Sequence, residues 1–394
     1  MRYVLLLCCS LALFSQCQPP DVAQPGTFAS ARIGAPGTLL AQYPNGVPAL
    51  AKGINLSGWF GSGNSASGFT TRFTATAFAH IKSLGFTCVR LPIGPNHLFQ
   101  EATPGTLNPT TMAALWQGIN GLNAAGLAVI IDPIHASGDS DFERKLATDP
   151  LFLPKAQAYW RAIATQFRTK TTAQVFFEVM NEPHMANLQG SQAWYAPVQD
   201  SLIAAIRSVA PQHVIIATAA DWSTIDALLT VVPTDKNVLW NFHYYSPMVF
   251  THQGADWITP AFTFIKKLPY PSTPANVRTL AASITDPTAK AYVTYYGSEN
   301  WNGAKVTADL GRINAWATAN GVLVSCNEFG VYKTFAPAAS RRQYITDVRM
   351  AFQTYGIGWA MWEYDEGFGF VTYKNATART GPVVDTNIRL ALGL

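Results

Sequence analysis

The sequence predicts a single α/β domain closed as a (β/α)8 (TIM) barrel, and three observations carry that prediction. Eight short apolar runs alternate with amphipathic stretches of helical length. The runs are nearly continuous in apolar residues, as strands buried on both faces of a parallel sheet are. Polar and charged residues, scarce elsewhere, gather where the runs end. A doubly wound open sheet would need a glycine-rich phosphate turn after its first strand, and Gly61-Ser62-Gly63-Asn64 is too weak a match.

The chain has 394 residues, 27 Lys+Arg against 23 Asp+Glu, 48% hydrophobic and only 13% charged. Intrinsic disorder and coiled coils require more charge than this. The net +4 is dispersed, with no basic cluster longer than Arg144-Lys145 or Arg341-Arg342, so no nucleic-acid partner is expected.

Residues 1–17 read as a secretory signal: Met1-Arg2 precedes an apolar run, 3–14, broken only by Ser10 and too short to span a bilayer. Phe14-Ser15-Gln16-Cys17 resembles a bacterial lipoprotein signal, although Gln16 is larger than the usual residue before the cysteine. The expectation is a secreted, periplasmic or outer-membrane protein, with a possible lipid anchor through Cys17. Residues 18–48 form a Pro/Gly/Ala-rich lead-in, and 49–394 the barrel. Beyond the leader only Cys88 and Cys326 remain, both within apolar runs, which predicts buried free thiols.

Strands are predicted at 53–59, 88–92, 128–132, 175–180, 214–218, 238–244, 322–327 and 358–362. Helices are predicted at 71–84, 111–125, 154–167, 192–209, 307–319 and 339–355. Two connections are long. Residues 135–154 follow strand three, and the proline-rich residues 247–321 follow strand six. Such insertions sit over the C-terminal mouth of a barrel, where substrates bind.

At that mouth Glu182 and Glu328 end strands four and seven. A carboxylate closing an apolar strand is costly to place unless partnered or functional. Paired carboxyl groups are what glycosidic hydrolysis needs, one protonated to donate to the leaving oxygen and one ionised to attack. Asn181 can donate to a sugar hydroxyl, and Arg90 or Tyr245 can hold Glu328 as the anion. Glu178, of the same strand parity as Glu182, is expected lower in the barrel as a buried structural partner. Trp59, His97, His252 and Trp257 are possible sugar subsites, each equally suited to ordinary packing. His80, His184 and His213 form no ligand cluster, and Asp139-Asp141-Glu143 is too loose for a calcium loop, so no metal is expected.

Together Val179-Met180-Asn181-Glu182-Pro183 and Asn327-Glu328-Phe329-Gly330 resemble the signature of glycoside hydrolase family five, the cellulase-like retaining enzymes. Residues 53–60, Val89-Arg90-Leu91-Pro92, His243-Tyr244-Tyr245 and 251–257 look like further family segments in the family's order. The resemblance implies a retaining endo-β-1,4-glucanase without cofactor, acting as a monomer on β-glucan. It makes Glu182 the acid/base and Glu328 the nucleophile. Arg90 and Tyr245 support the nucleophile, and Asn181 binds the sugar 2-hydroxyl. His243 orients the acid/base region, and Trp362 is the platform at the scissile site. The family's strand-three histidine usually stands two residues after an aspartate. Here His135, three after Asp132, is its match. A β-mannanase, a xyloglucanase, a β-1,3-glucan hydrolase and a non-catalytic carbohydrate-binding barrel are the alternatives. The last has no use for two such glutamates.

Overall fold

The computed structural model of the chain describes residues 37–61, 63–135, 141–184 and 194–394. The leader, with Cys8, Cys9 and Cys17, and the first part of the lead-in lie outside them. Eight parallel strands run in chain order: β1 Lys52–Asn55, β2 Cys88–Pro92, β3 Ala128–Asp132, β4 Val175–Glu178, β5 Ile215–Thr218, β6 Val238–Tyr244, β7 Leu323–Phe329 and β8 Gly358–Met361. Pairing of β1 with β8, Gly53 opposite Ala360, closes the barrel.

Several boundaries differ from the sequence expectation for physical reasons. β1 stops at Asn55 because Ser57–Phe60 coils into a single helical turn that buries Trp59 and Phe60. β4 ends at Glu178, leaving residues 179–184 free to form an irregular mouth segment. The helix expected at 192–209 is regular only over Asp200–Arg207, since Trp194–Gln199 adopts a π turn around Pro197, which has no N–H to give. Besides the short turn Met248–Thr251, the long connection after β6 holds two further helices, Pro274–Ser283 and Pro287–Ser298. Their prolines, which in the sequence look like loop markers, occupy the first helical turn behind the caps Thr273 and Asp286. There a missing N–H costs nothing and the fixed φ is already helical. After β8 an antiparallel hairpin, β9 Val371–Asn375 with β10 Thr380–Val384, leads into the closing helix Thr386–Ala391.

Inward-facing residues change character halfway up the barrel. At the N-terminal end Cys88, Ala128, Ile130, Phe176, Ile216, Leu239 and Leu323 form an apolar layer. Leu39, Leu40 and Val47 of the lead-in, with Leu50 just after it, plug it from below. One step higher, Asn55, Arg90, Asp132, Glu178, Asn241 and Asn327 are all buried and all polar. A second apolar core fills the space between strands and helices. Cys88 and Cys326 are buried free thiols. No helix among the described residues is long and apolar enough to cross a membrane.

Register irregularities aim the upper polar residues. Ser325 and Asn327 share the inward face of β7, so strict alternation would send Glu328 outward. The pairing of β7 shifts against β6 between Phe242 and His243 and against β8 between Cys326 and Phe329, and Glu328 turns into the mouth. A Cβ on Gly330 would lie 2.2 Å from the Trp362 carbonyl oxygen, so glycine lets the ends of β7 and β8 converge there.

If residues 37–50 are an integral plug, Leu40→Ala lowers the unfolding free energy by about 2–5 kcal/mol, as cavity-forming core truncations do. Urea denaturation checks this, and a loss below about 0.5 kcal/mol, typical of a surface site, would mean that the lead-in merely rests on the barrel.

Candidate active site

The polar layer is organised around one guanidinium. Arg90, fully buried on β2, donates to both oxygens of Glu178 (2.9 and 2.8 Å), to Asn55 Oδ1 (3.0 Å), Asp132 Oδ2 (3.0 Å), Asn181 Oδ1 (2.8 Å) and Glu328 Oε1 (2.6 Å). Glu178 is thus the buried partner lower in the barrel that strand parity indicates. Burying one cation among three carboxylates is tolerable only because planar, forked geometry lets every donor find an acceptor.

These bonds fix what each neighbour offers to the groove. The Asn181 amide spends its oxygen on Arg90, so its NH2 faces outward as a donor. Asn241 Oδ1 accepts from the Asn327 backbone N–H (2.9 Å), so its NH2 is what faces His243 Nε2 at 3.3 Å. That nitrogen must therefore be the unprotonated one, and Nδ1–H donates to Glu182 Oε1 at 2.7 Å. Burial pushes the His243 imidazole down to about 4, consistent with a neutral ring at neutral pH.

The two glutamates have contrasting surroundings. Glu328 receives Arg90 on one oxygen and the Tyr245 hydroxyl (2.9 Å) on the other. Glu182 has His243 as a neutral donor on Oε1, and its carboxyl is pushed up to about 7, chiefly by burial, with His135 and Arg90 opposing the rise. The backbone of Glu182 is left-handed, φ 37°. Among the described residues, Glu182, His243 and Glu328 are the only group with metal-ligand spacing, their donor atoms lying within 4.8 Å of one another. Those atoms are already committed to one another or to Arg90, Tyr245 and Asn241, which suits proton transfer better than metal ligation.

Other expected residues divide into two sets. His135 joins the centre. Its Nδ1 bonds Asp132 (2.8 Å), and its ring lies parallel to the half-buried Trp362 at 5.7 Å between centroids. Burial alone would lower its pKa, but the bond and charge of Asp132 prevail and raise it. Trp257 stands 55% exposed on the loop after β6, edge-on to Tyr332. Trp59, by contrast, is a core residue, packed against Phe60, Phe73 and Phe78 with its indole N–H on the Phe69 carbonyl. His252 is also buried, bonded to Thr251 and packed behind Tyr245. His97 ties the loops after β1 and β2 through the Gly61 carbonyl (2.9 Å). Neither Trp59 nor His252 offers a surface to sugar.

Two residues escaped the sequence reading. Trp222, four residues beyond β5, is 41% exposed and packs at a tilt against His184, 4.6 Å between ring centroids, on three consecutive left-handed residues, 221–223. Its signal was an aromatic just past a strand end. Glu363 follows Trp362, buried and bonded to Ser57, and burial pushes its carboxyl up to about 8.

Arg90→Met leaves Glu178 and Asp132 buried without a cation, and the expected loss of stability is about 3–5 kcal/mol. Chemical denaturation at pH 7 measures it, and a variant as stable as the parent would show that the layer does not depend on the guanidinium.

A model of the cellulase domain of glycosyl hydrolase family 5 matches residues 45–367. Endoglucanase 3 of Fibrobacter succinogenes is 28% identical over 343 residues, covering 82% of this chain and 50% of its own length, so the chain spans half of that relative. Endoglucanase C of Acetivibrio thermocellus is 23% identical over 318 residues, covering 79% of this chain and 90% of its own. An endoglucanase of Thermotoga maritima superposes with a TM-score of 0.68 at 27% identity, covering 87% and 97% of the two chains. Structures of that enzyme have been solved with cellobiose and with mannotriose. With this barrel, this pair of glutamates and a family match over most of its length, the chain belongs to the cellulase family, glycosyl hydrolase family 5, and is a glycoside hydrolase.

Proposed function

We propose that the protein is a retaining endo-β-1,4-glucanase that cleaves β-glucan by double displacement. The observation that carries this reading is the closeness and asymmetry of Glu182 and Glu328. Their nearest donor atoms lie within 4.8 Å. Retaining enzymes hold their carboxyl groups about 5–5.5 Å apart, and inverting ones need about 6.5–9.5 Å to admit a water between them.

In the first step Glu328 attacks the anomeric carbon while Glu182 protonates the departing glycosidic oxygen. His243 already occupies Oε1 of Glu182, so the proton is delivered from Oε2. In the second step Glu182, now ionised, takes a proton from water as that water attacks the same carbon and frees Glu328. The outward NH2 of Asn181 serves the 2-hydroxyl, a bond that strengthens as the ring flattens toward the oxocarbenium ion. Trp362 provides the apolar face beneath that ring, and Trp222 a second aromatic surface on the side of Glu182. The T. maritima relative's complex with cellobiose supports a gluco-configured backbone. Its complex with mannotriose supports β-mannan as the second reading. Action outside the cytoplasm, either free or tethered at Cys17, is part of the proposal and rests on the apolar leader.

Glu182→Ala is expected to reduce hydrolysis of cello-oligosaccharides by about 10²–10⁴-fold, the usual contribution of general acid–base catalysis. Its kcat/KM on 2,4-dinitrophenyl β-cellobioside, whose leaving group needs no proton, should stay close to the parent value. Glu328→Ala should be inactive on both while still binding cello-oligosaccharide by calorimetry. Binding without hydrolysis by the parent protein would instead favour the non-catalytic barrel. Proton NMR of the first-formed hemiacetal should show the β anomer, and an α anomer would refute retention. Reducing-sugar release from barley β-glucan, mannan, xyloglucan and laminarin ranks the backbones.

The raised pKa of Glu182 gives a pH dependence. The group must be protonated in the free enzyme, so kcat/KM on glucan should fall about tenfold per pH unit above about 7. The dinitrophenyl substrate should not show this limb. An identical limb for both substrates would assign it to some other group.

A further inference from the structure

Beyond the residues already assigned, one buried carboxylate is unexplained by the barrel's polar layer. Glu143 lies on the helix Asp141–Thr148, in the connection after β3, and is only 2% exposed. Its Oε1 accepts a hydrogen bond from the backbone N–H of His184 at 2.5 Å. A carboxylate in this position is costly to bury without such partners, and a charge-assisted bond to a backbone amide is among the stronger ones.

The location of that bond matters. After β4 the chain leaves the sheet and turns through Asn181, Glu182 and Pro183 to His184. Glu182 has φ 37°, a strained conformation for a side-chain-bearing residue that persists only where its surroundings hold it. On the near side the Trp160 indole donates to the Val179 carbonyl (3.0 Å), and the Asn181 N–H donates to the Ile134 carbonyl (3.2 Å). On the far side Pro183 has no N–H, so His184 is the first residue whose amide can be tied down. Glu143 ties it.

The helix that presents Glu143 is itself anchored. Phe142 is buried and packs edge-on against Phe99 (5.0 Å) and Phe152 (4.9 Å). Lys145 bridges Asp141 and Glu101, and Lys155 also reaches Glu101. Those ion pairs are half-exposed and individually weak, so the aromatic cluster supplies most of the anchoring.

We propose that Glu143 is a positioning residue for the acid/base, clamping the His184 amide so that the left-handed turn aims the Glu182 carboxyl at the glycosidic oxygen. The inference rests on the acid/base role proposed for Glu182. It also gives the connection after β3 a part in the chemistry without any contact to substrate.

The test compares Glu143→Ala, Glu143→Gln and Glu182→Ala with the parent on cellotetraose and on 2,4-dinitrophenyl β-cellobioside, below the thermal midpoint of every variant. Loss of aim in the general acid should reduce kcat/KM on cellotetraose by about 10–100-fold in Glu143→Ala, a part of the 10²–10⁴-fold that such catalysis supplies. The activated substrate should change less than about threefold. Glu143→Gln keeps an acceptor oxygen for the amide and should retain most of the parent activity on both. If Glu143→Ala does not fold, Glu143→Met, of similar volume, carries the same expectation. An equal loss on both substrates, or no loss on either, overturns the proposal while Glu182→Ala still discriminates between them. If Glu182→Ala itself fails to discriminate, the acid/base reading falls and this inference with it.

Discussion

Arg90 places a full positive charge inside a closed barrel, and most of the active centre is arranged to answer it. Its guanidinium reaches Glu178 and Asp132 within the barrel, Asn55 beside them, and Asn181 and Glu328 at the mouth. Because each acceptor is committed in a known direction, the free ends of the amides become predictable. Asn181 must turn its NH2 outward, and Asn241 must turn its NH2 toward His243. The protonation pattern around Glu182 follows from Asn241, whose oxygen takes the Asn327 backbone N–H and whose NH2, shared with the Glu178 that Arg90 holds, faces His243. Burial of such a network is worth little as stability, since an apolar core of equal volume would serve as well, but it fixes geometry.

The same arrangement separates two chemically identical side chains. Glu328 faces a cation and a phenol. Glu182, 22% exposed, faces a neutral imidazole. In the proposed mechanism that difference in environment lets Glu182 hold a proton while Glu328 attacks. The apolar half of the barrel contributes indirectly, because the plug formed by Leu39, Leu40, Val47 and Leu50 closes the floor beneath the polar layer.

Much of this was legible in the sequence, and the exceptions have identifiable causes. Strands such as 88–92 and 238–244 were plain because burial on both faces leaves a nearly continuous apolar signal, broken only by Arg90 and by Asn241 and His243. Glu182 and Glu328 stood out because charge is rare in this chain and theirs closes apolar runs, and Arg90, His243 and Tyr245 because they lie in family-like segments. The inward turn of Glu328 was hidden, since it depends on a register shift that alternation cannot reveal. The helices after β6 were obscured by prolines whose meaning depends on helix position. Trp59 and Trp222 look alike as letters. One is locked behind Gly118 and the other stands on a left-handed turn, and only tertiary contacts separate them. The roles of Asn55, Asn241 and Asn327 could not be read from their local sequence because they are set by residues on other strands.

The account is tested most directly by trapping the glycosyl-enzyme. Incubation with 2,4-dinitrophenyl 2-deoxy-2-fluoro-β-cellobioside, followed by peptide mass spectrometry, should find one fluorocellobiosyl group attached to Glu328 and none on Glu182. A label on any other residue would contradict the pairing derived from Arg90 and Tyr245, as would an absent label in an enzyme that hydrolyses glucan with inversion.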